Sequence, residues 1–477
     1  MRVLFINPPY NIPIETRASP PLGLAYLTAV SERRGDQVKV WDGEVDPEPL
    51  EQILEEFRPE VVGITATTVQ IKMAWKTAER VKKVLDVPVV LGGVHPTIMP
   101  EESISHPAVD IVVRGEGELT WEELVSSLEK GFDPHALKEI SGLTFRTASG
   151  EIVSTPDRPV VVDLDSLPFP SYRPFKLHLY TNLQPTIDHL PRGRSFPIMT
   201  SRGCPYRCSY CSQISPRRWR MRSPENVLAE WRWLVKEMGA LEIGVLDDTF
   251  NVDRERVIRI CDLLIKEKLN HVPWIMINGI RANLVDKELL RKMREAGCIR
   301  VAFGVESGDQ RILDEVIHKQ LTLEQIRKAF KWAREAGIET IGFFIIGLPG
   351  ETEETMEKTI RFAIELDPLV ANFSIATPFP GTEMYEIVKR EGKLLVKDWD
   401  DFAFFEGKAH FEMPGMPAEL VERKWREAYR RFYLRPRRIL KALTRKRTWL
   451  DLPRTVKVAW KTLTGYKRGR QNGNPCK

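Results

Sequence analysis

The sequence predicts an α/β protein with an N-terminal doubly wound parallel sheet, a partial (β/α)6 barrel and a helical C-terminal tail. Two series of short, apolar, β-branched runs alternate with helical patterns, as buried parallel strands and their crossover helices do. The 477 residues, 42% of them hydrophobic, suffice for two or three domains with sizeable cores. No apolar run approaches the roughly 18 residues that a membrane-spanning helix requires, and the first residues are typical of a strand rather than of a signal peptide.

The first series predicts a parallel sheet within residues 1–130. Its strand candidates are Val3–Asn7, Val38–Asp42, Val61–Thr65, Val87–Gly93 and Ile111–Arg114, separated by helical patterns such as Leu22–Arg34 and Ile71–Leu85. Ligands of such sheets bind beyond the carboxyl ends of the strands. The candidate ligand residues at four of these ends are Pro8, Pro9, Thr65, Thr67, Gly92, Gly93, His95, Gly115 and Glu116. Taken singly, each loop is equally well explained by the Gly and Pro that turns need, but the coincidence of four favours a ligand.

The second series predicts the partial barrel, over residues 195–385. A proline-rich linker with a small hairpin at Gly142–Phe145 and Glu151–Ser154 precedes it, over residues 131–194. The strand candidates are Pro197–Ser201, Ile243–Asp248, Trp274–Ile280, Val301–Glu306, Thr340–Ile346 and Val370–Ala376. The helical patterns are Pro224–Met238, Arg254–Lys268, Lys287–Ala296, Leu323–Ala336 and Thr352–Leu366. In such a barrel the chemistry belongs at the carboxyl ends of the strands.

Three cysteines crowd into the loop after the first barrel strand: Cys204, Cys208 and Cys211. Thiolates are the usual ligands of iron–sulfur clusters, and a tight loop brings several of them round one cubane. A 4Fe–4S cluster normally takes four ligands, so three leave one iron open to the amino and carboxylate groups of a methionine moiety. A zinc site is the alternative, but zinc requires a fourth ligand, and the next candidates along the chain are Cys261 and His271.

Three further barrel strand ends carry residues suited to the same ligand. They are Asp247 and Asp248 after the second strand, Gly304, Glu306 and Ser307 after the fourth, and Gly347, Pro349 and Gly350 after the fifth. The paired carboxylates suit a cationic amino group, the Glu and Ser suit ribose hydroxyls, and the glycines permit close backbone approach to an adenine. Each acid alone is explained as a helix cap. Together with the cysteines, these residues predict a nucleoside-sulfonium pocket.

The loop Cys204–Cys211, with Tyr210 before its last cysteine, resembles the CxxxCxxC loop of the radical S-adenosylmethionine superfamily. Residues 1–380 are similar to its cobalamin-binding class, which includes hopanoid methylases, the anaerobic Mg-protoporphyrin ester cyclase and several C-methyltransferases. Further matching stretches are Pro21-Leu22-Gly23, Gly92–Thr97, Arg114–Glu118, Asp247–Phe250, Lys319–Thr322 and Gly347–Thr352. The resemblance implies a 4Fe–4S cluster, S-adenosylmethionine and cobalamin as cofactors, with a Rossmann-like cobalamin-binding domain ahead of the barrel.

Two absences narrow the resemblance. The Asp-x-His-x-x-Gly motif that supplies a histidine below the cobalt is missing. The most similar stretch begins with Asp133 and His135, but Lys138 occupies the position of the motif's glycine. The resemblance therefore implies cobalamin without a lower histidine, and His95 is expected to be a loop residue at that site rather than a cobalt ligand. Residues 1–203 contain no cysteine, which argues against the methylthiotransferases, whose N-terminal domain carries a second cluster.

The activity that this resemblance implies is reductive cleavage of S-adenosylmethionine to a 5′-deoxyadenosyl radical. The outcome is C-methylation or oxidative cyclisation at an unactivated carbon. An apolar lipid, isoprenoid or tetrapyrrole is the expected substrate, and a ferredoxin or flavodoxin the expected electron donor. Two alternatives stay open: a C-methyltransferase of a soluble natural product, and a cobalamin-binding regulatory protein whose cluster senses redox state.

The C-terminal region, residues 386–477, is strongly basic. From Val421 to Lys477 it has 19 Lys and Arg against three acids, a net charge of +16, which leaves −11 for the rest of the chain. Apolar residues recur at helical spacing, and Trp425, Trp449 and Trp460 stand among the basic residues, a composition typical of a helix on an anionic membrane. A helix packed on the barrel is the alternative, and nucleic-acid binding is less favoured. We therefore expect a cytoplasmic protein with peripheral contact to the inner face of the cell membrane through residues 421–463.

Overall fold

The N-terminal part of the chain folds around one sheet. The structure is a computed structural model that describes residues 1–10, 19–147, 149–180, 194–212, 217–402 and 407–443. The strands are β1 (Arg2–Asn7), β2 (Gln37–Asp42), β3 (Val61–Thr65), β4 (Val89–Gly92), β5 (Ile111–Val113), β6 (Leu143–Arg146) and β7 (Ile152–Ser154). The helices are α1 (Leu22–Arg34), α2 (Leu50–Phe57), α3 (Ile71–Val84), α4 (Val94–Ile98), α5 (Pro100–Ser105), α6 (Gly117–Leu128) and α7 (Pro134–Lys138).

This sheet has the order β2-β1-β3-β4-β5-β6-β7, and β1 to β5 run parallel. Along β1, Val3 and Phe5 enter one hydrophobic core while Leu4 and Ile6 enter another, so both faces are covered, as in a doubly wound sheet. The strand order reverses between β1 and β3. A crevice therefore opens at their carboxyl ends, where such sheets bind ligands.

The sheet continues beyond residue 130, where the sequence predicts a linker. The hairpin of β6 and β7 pairs antiparallel with β5 and adds two strands. Leu143 and Phe145 of β6 are fully buried in the same core as Ile111 of β5. The apolar alternation in the hairpin thus extends the sheet, so the boundary at 130 is corrected to a point after β7.

The second sheet is the partial barrel, with six parallel strands in the order β15-β14-β13-β12-β11-β8. Its strands are β8 (Ser195–Ile198), β11 (Glu242–Val245), β12 (Trp274–Met276), β13 (Cys298–Glu306), β14 (Glu339–Ile346) and β15 (Val370–Ile375), and β9 (Ser201–Arg202) and β10 (Arg220–Met221) form a separate short pair. The helices are α8 (Pro224–Lys236), α9 (Arg254–Lys266), α10 (Lys287–Glu295), α11 (Leu323–Glu335) and α12 (Glu353–Leu366), with a π-helical turn at Ile312–Val316.

Polar caps fix where the barrel helices begin. In each case a side-chain oxygen accepts a hydrogen bond from a backbone amide of the first turn, which satisfies a donor that the helix itself leaves unpaired. The caps of α8 to α12 are Ser223, Asp253, Asp286, Thr322 and Thr352. These signals are local in sequence, and the predicted helix starts therefore lie within one residue of the observed ones.

The C-terminal region packs on the open edge of the barrel. It comprises α13 (Glu383–Glu391), the pair β16 (Lys393–Leu394) and β17 (Phe411–Glu412), α14 (Ala418–Tyr433) and α15 (Pro436–Leu443). The Trp425 indole donates to the carbonyl of Phe373 at 2.7 Å, and the Tyr433 hydroxyl donates to the carbonyl of Ala371 at 3.0 Å. An edge strand has unpaired backbone groups, and α14 supplies their partners along β15.

This packing corrects the prediction that Trp425 anchors the chain at a membrane, because Trp425 is only 4% exposed. The basic residues beside it pair with acids of the barrel: Lys424 lies 3.2 Å and Arg431 2.7 Å from Glu357. Trp449 and Trp460 lie outside the described residues. None of the helices in the described ranges is both long enough and apolar enough to span a membrane.

Candidate active site between the two sheets

The carboxyl ends of both sheets border one cavity of about 1020 Å³. Its N-terminal wall includes Leu24, Tyr26, Gly63, Thr65, Gly92 and Gly93. Its barrel wall includes Cys204, Cys211, Asp248, Glu306, Phe343 and Asn372. The ligand sites that the sequence predicts separately for the two domains are therefore parts of one connected space.

The cysteine loop follows β9 at the carboxyl end of the barrel. Cys204 and Cys211 border the cavity, whereas Cys208 is buried. The amide of Cys211 donates to the carbonyl of Cys208 at 3.1 Å, which closes a tight turn. The Thr249 hydroxyl donates to the Cys204 sulfur at 3.1 Å, and the Ser209 hydroxyl donates to the carbonyl of residue 316 at 2.7 Å. The loop is thus held by two neighbouring segments of the barrel.

An iron–sulfur cluster fits this loop. Burial, followed by the neighbouring Cys208 and Cys204, raises the pKa of Cys211 to about 12. Iron ligation stabilises the thiolates that such a site otherwise disfavours. No three His, Cys, Asp or Glu side chains in the described part are arranged to hold a single metal ion. In a cubane each thiolate binds its own iron, so the three sulfurs need not converge on one point.

The two acids after β11 have different surroundings. Asp248 borders the cavity, where its carboxylate accepts a hydrogen bond from the amide of Gly203 at 2.9 Å, and burial raises its pKa. Asp247 is fully buried and accepts hydrogen bonds from the amide and hydroxyl of Thr200 and from the hydroxyl of Ser201, each at 2.6 Å. The structure therefore corrects the prediction that Asp247 contacts S-adenosylmethionine, because its carboxylate is occupied by the turn that leads into the cysteine loop.

Glu306 borders the cavity beside the cysteine loop. Its carboxylate accepts hydrogen bonds from the Tyr210 hydroxyl at 2.9 Å and from the Lys319 ammonium at 2.7 Å. The φ of Glu306 is +64°, and the side chain lies over Gly304, where a Cβ would collide with its carboxylate. Gly304 therefore makes room for Glu306 rather than for a ligand. Ser307 is fully buried and accepts a hydrogen bond from the amide two residues on, so it is a turn cap and not a cavity residue.

The glycine-rich end of β14 approaches α14 rather than the cavity. Gly347 has a φ of +86°, and a Cβ there would lie 2.6 Å from Val421. Leu348 is the residue of this turn that borders the cavity. The predicted adenine contacts Gly347, Pro349 and Gly350 are not among the lining residues. A glycine required by helix packing has the same sequence signature as one required by a ligand.

Five of the nine predicted N-terminal ligand residues border the cavity: Thr65, Gly92, Gly93, Gly115 and Glu116. Gly93 has a φ of +105°, and a Cβ there would lie 2.8 Å from the carbonyl of Ala66, so only glycine permits this close approach of two strand ends. Pro8, Pro9 and Thr67 lie outside the lining. Gln70 donates to the carbonyl of Pro8 at 2.9 Å, and Thr67 caps the short turn that ends at Gln70.

His95 is fully buried and does not border the cavity, which corrects its assignment as a cofactor contact. Its ring lies 5.2 Å from that of Trp399, edge to face, and Nδ1 lies 3.4 Å from the Thr68 hydroxyl. Burial lowers its pKa to about 4. The Trp399 indole also donates to Glu102 at 2.6 Å. His95 therefore packs the C-terminal region against the N-terminal domain.

Known protein families match both of the domains that border this cavity. Residues 17–125 match the B12 binding domain, and residues 198–363 match the radical SAM superfamily. An uncharacterized methyltransferase of Pyrococcus horikoshii is 38% identical over 451 residues, which cover 92% of this chain and 94% of the relative. The anaerobic magnesium-protoporphyrin IX monomethyl ester cyclase of Rubrivivax gelatinosus is 31% identical over 449 residues, which cover 91% and 78%. The chain belongs to the cobalamin-binding radical S-adenosylmethionine enzymes.

The cofactors of this radical S-adenosylmethionine enzyme are a 4Fe–4S cluster, S-adenosylmethionine and cobalamin, as its two domains imply. Its fold is similar to that of the radical S-adenosylmethionine methyltransferase TsrM from Kitasatospora setae, with a TM-score of 0.66 and 24% identity. That likeness covers 82% of this chain and 78% of the other. It therefore extends over both domains and concerns the fold alone.

Ion pairs join the two cofactor-binding domains of the enzyme. Arg202, directly before Gly203 and the cysteine loop, lies 2.6 Å from Glu118 of α6, and its guanidinium lies 5.0 Å from the centre of the Tyr26 ring. Arg220 donates to Glu116 at 2.9 Å. Glu116 thus borders the cavity, but its carboxylate is also bound by an arginine of the other domain.

Several residues of the site are absent from the sequence prediction. Tyr210 and Lys319 stand in stretches that match the family, yet nothing local indicates that both bind Glu306. Asn372 and Ser374 line the cavity from β15. Their signal is a polar residue at every second position of an otherwise apolar strand, which marks one face of that strand as different from the other.

Proposed function

We propose that the enzyme methylates an unactivated carbon of an uncharged, largely apolar substrate held between its two domains. One observation carries this proposal: the glycine-lined strand ends of the N-terminal sheet and two of the cluster cysteines border the same cavity. When bound, the cluster supplies the electron that cleaves S-adenosylmethionine, and cobalamin supplies the methyl group. The chain itself binds these groups at one place, orients the substrate between them and excludes water.

Residues of the barrel wall bind the cluster and its nucleoside ligand in this proposal. Cys204, Cys208 and Cys211 ligate three irons, and Asp248 and Glu306 accept hydrogen bonds from the amino group and the ribose of S-adenosylmethionine. Charge-assisted hydrogen bonds of this kind are the strong ones. The support is that both carboxylates border the cavity together with Cys204 and Cys211. The Lys319 ammonium, 2.7 Å away, places a positive charge beside Glu306 at this buried position.

Residues of the N-terminal wall bind cobalamin in this proposal. Thr65, Gly92, Gly93 and Gly115 present little side chain, so a flat macrocycle is able to approach their backbone. His95 would not serve as a lower ligand of the cobalt, because it is buried against Trp399 and does not border the cavity. The sequence motif for such a ligand is absent as well.

The substrate class follows from the remainder of the cavity wall. Leu27, Phe343, Ile345, Phe379 and Met384 border it. The charged groups of the lining bind one another or neighbouring residues, as Arg202 binds Glu118 and Lys319 binds Glu306. A buried carbon skeleton gains roughly 25 cal/mol per Å² against such a surface, whereas an anionic substrate group finds no unpaired cation among the described lining residues. An isoprenoid lipid or a hopanoid has the required character, and so has the macrocycle of a tetrapyrrole whose carboxylates are esterified or lie outside this wall.

Oxidative cyclisation is the second candidate, because a relative 31% identical to this chain is named a cyclase. Methylation and cyclisation begin with the same hydrogen abstraction and differ in whether the methyl carbon reaches the product. A ferredoxin or flavodoxin serves as electron donor in either case.

The test uses anaerobically reconstituted enzyme, a reductant and S-adenosylmethionine with a trideuterated methyl group. It is incubated with the apolar and aqueous extracts of a strain that lacks the gene. A labelled mass increase in an apolar compound supports the proposal, and loss of hydrogen without label supports cyclisation. Product found only in the aqueous extract contradicts the substrate class. Failure of the cluster-loaded protein to form 5′-deoxyadenosine indicates a regulatory protein, and Cys208→Ala provides the inactive control.

A further inference from the structure

Two polar side chains interrupt the apolar wall that β14 and β15 present to the cavity. The parallel pairing aligns Phe343 with Asn372 and Ile345 with Ser374, and all four residues border the cavity. Phe373, between the two polar residues, is 1% exposed and packs on the opposite side against α14. Because side chains alternate along a strand, the four lining residues form one continuous patch.

The amide of Asn372 is oriented from outside the barrel. The Tyr429 hydroxyl of α14 lies 3.2 Å from Asn372 Oδ1 and 3.2 Å from the carbonyl of Phe373, so two acceptors share its one hydrogen. Tyr429 is itself held in place, since its oxygen accepts from the amide of Phe373 at 3.3 Å and its ring packs 5.3 Å from that of Phe373. Because Oδ1 of Asn372 faces Tyr429, its NH₂ group is the part of the amide left for a ligand in the cavity. The hydroxyl of Ser374 follows about 7 Å along the same face of the strand, which gives two neighbouring donors.

The charge of the wall determines which kind of acceptor group these two donors bind. Arg202, Asp248 and Glu306 are charged lining residues on other parts of the cavity. Among the described residues of β14 and β15 that border it, none is charged. A carboxylate or phosphate removed from water requires a cationic partner, whereas a neutral carbonyl requires only hydrogen-bond donors.

We propose that Asn372 and Ser374 form a substrate subsite for a neutral carbonyl oxygen, as in a ketone, ester or amide. This subsite rests on the proposed function, since it assumes that the apolar part of the cavity holds the substrate. It fixes the orientation of a carbon skeleton that the surrounding apolar residues would otherwise bind in several ways. The subsite thereby selects which carbon faces the cofactors, because that carbon must lie at a fixed distance from the carbonyl.

A matched pair of probes tests the subsite: 9-fluorenone and fluorene, which have the same ring system with and without a carbonyl. Their dissociation constants are measured by equilibrium dialysis on the enzyme loaded with cluster and cobalamin. One hydrogen bond in a buried site should make fluorenone bind about threefold to tenfold more tightly than fluorene. Asn372→Leu should lower this ratio, Asn372→Leu with Ser374→Ala should reduce it to about one, and Tyr429→Phe should lower it by freeing the amide. Tyr433→Phe is the control, because Tyr433 bonds only the backbone of Ala371.

The outcomes separate this subsite from the function on which it rests. Equal binding of the two probes to the unaltered enzyme overturns the carbonyl subsite and leaves the apolar pocket standing. If neither probe binds, the apolar pocket itself is wrong. Loss of cobalamin from Asn372→Leu with an unchanged probe ratio assigns Asn372 to the cofactor instead and also overturns the subsite.

Discussion

Two carboxylates at barrel strand ends, Asp247 and Glu306, should respond differently to neutralisation. Asp247→Asn removes the charge that accepts three hydrogen bonds from the turn before the cysteine loop. It should lower the free energy of unfolding by about 2–4 kcal/mol, measured by urea titration, and leave the affinity for S-adenosylmethionine unchanged. Glu306→Gln should weaken that affinity about tenfold to a hundredfold, because a charge-assisted hydrogen bond contributes about 1.5–3 kcal/mol.

Iron content should stay constant in both variants. Glu339→Gln is the control for Glu306, since Glu339 begins the neighbouring strand β14 and pairs with Arg300 at 2.6 Å, near the amino end of β13. If Asp247→Asn lost affinity for S-adenosylmethionine without a loss of folding stability, Asp247 would be a ligand contact after all.

Glu351 should make the stability of the protein fall as the pH rises. Its carboxylate accepts hydrogen bonds from the amides of Gly347 at 2.7 Å and Leu348 at 2.9 Å, but burial, with a further contribution from Asp309, raises its pKa to about 8. The unfolded chain titrates near pH 4.3, so the folded protein binds the extra proton between about pH 4.5 and 8. Stability is therefore lost as the pH rises through that window and changes no further above it.

Glu351→Gln keeps one acceptor oxygen and removes this titration. Urea unfolding at pH 5, 7 and 9 should show the unaltered protein losing about 2–4 kcal/mol relative to the variant, nearly all of it below pH 8. A difference that is constant across the three pH values would mean that Glu351 holds the same charge in both states.

At the scale of elements, α14 is part of the barrel, because Trp425, Tyr429 and Tyr433 bond the backbone of β15. A protein that ends at Pro417 exposes this edge strand and should aggregate, whereas a protein that ends at Leu443 retains α14 and should fold. Size-exclusion chromatography and thermal melting by circular dichroism measure both. A folded monomer ending at Pro417, with an unchanged melting temperature, would show that α14 is dispensable.

The sequence predicts where in the chain α14 lies, but not which surface the helix packs against. Its stripe of apolar and aromatic residues is what a helix needs to lie on a membrane and equally what it needs to cover an edge strand. The partners that decide between them are remote in sequence: Glu357 for Arg431, and Asp367 for Arg435 at 2.6 Å. The cysteine loop is different, since its three cysteines lie within eight residues and their spacing alone is enough to predict a cluster site.

The same limit applies to the acids of the site. Asp247 and Asp248 are adjacent in the loop after β11, yet only Asp248 borders the cavity. Which one depends on how the strand end is seated against its neighbours, and no local pattern contains that information. The fold class and the strand ends that meet at the site are thus predictable, whereas the individual contact residues depend on tertiary packing.

At the scale of the whole molecule, the contacts between domains connect the two cofactor sites. Arg202 stands two residues before Cys204 and binds Glu118 at 2.6 Å, while Glu116, beside Gly115 of the N-terminal wall, binds Arg220 at 2.9 Å. Both arginines are less than a tenth exposed. Breaking one partner of a buried ion pair costs about 3–5 kcal/mol. Direct charge contacts therefore hold the cluster loop against the N-terminal wall.

The structure also changes where a membrane contact is to be sought. The basic residues of α14 that face the barrel are engaged by its acids, as Lys424 is by Glu357 at 3.2 Å. The 34 residues after Leu443 carry ten Lys and Arg and one acid, Asp451, and lie outside the described residues. Each basic residue near an anionic leaflet contributes about 1 kcal/mol. Five or six of them suffice to exceed the marginal attachment of one acyl chain.

We therefore expect full-length protein to float with anionic vesicles and to bind them less at high salt, because the attraction is screened. Protein that ends at Leu443 should keep its fold and its cofactors but should not float, and neutral vesicles should retain neither form. If the shortened protein still floats, the contact is made by the exposed Ile439 and Leu440 of α15, which are 44% and 65% exposed. Ile439→Ser with Leu440→Ser would then abolish it. If full-length protein stays in solution, the apolar substrate must reach the cavity by release from the membrane, and a soluble substrate becomes the better-supported choice.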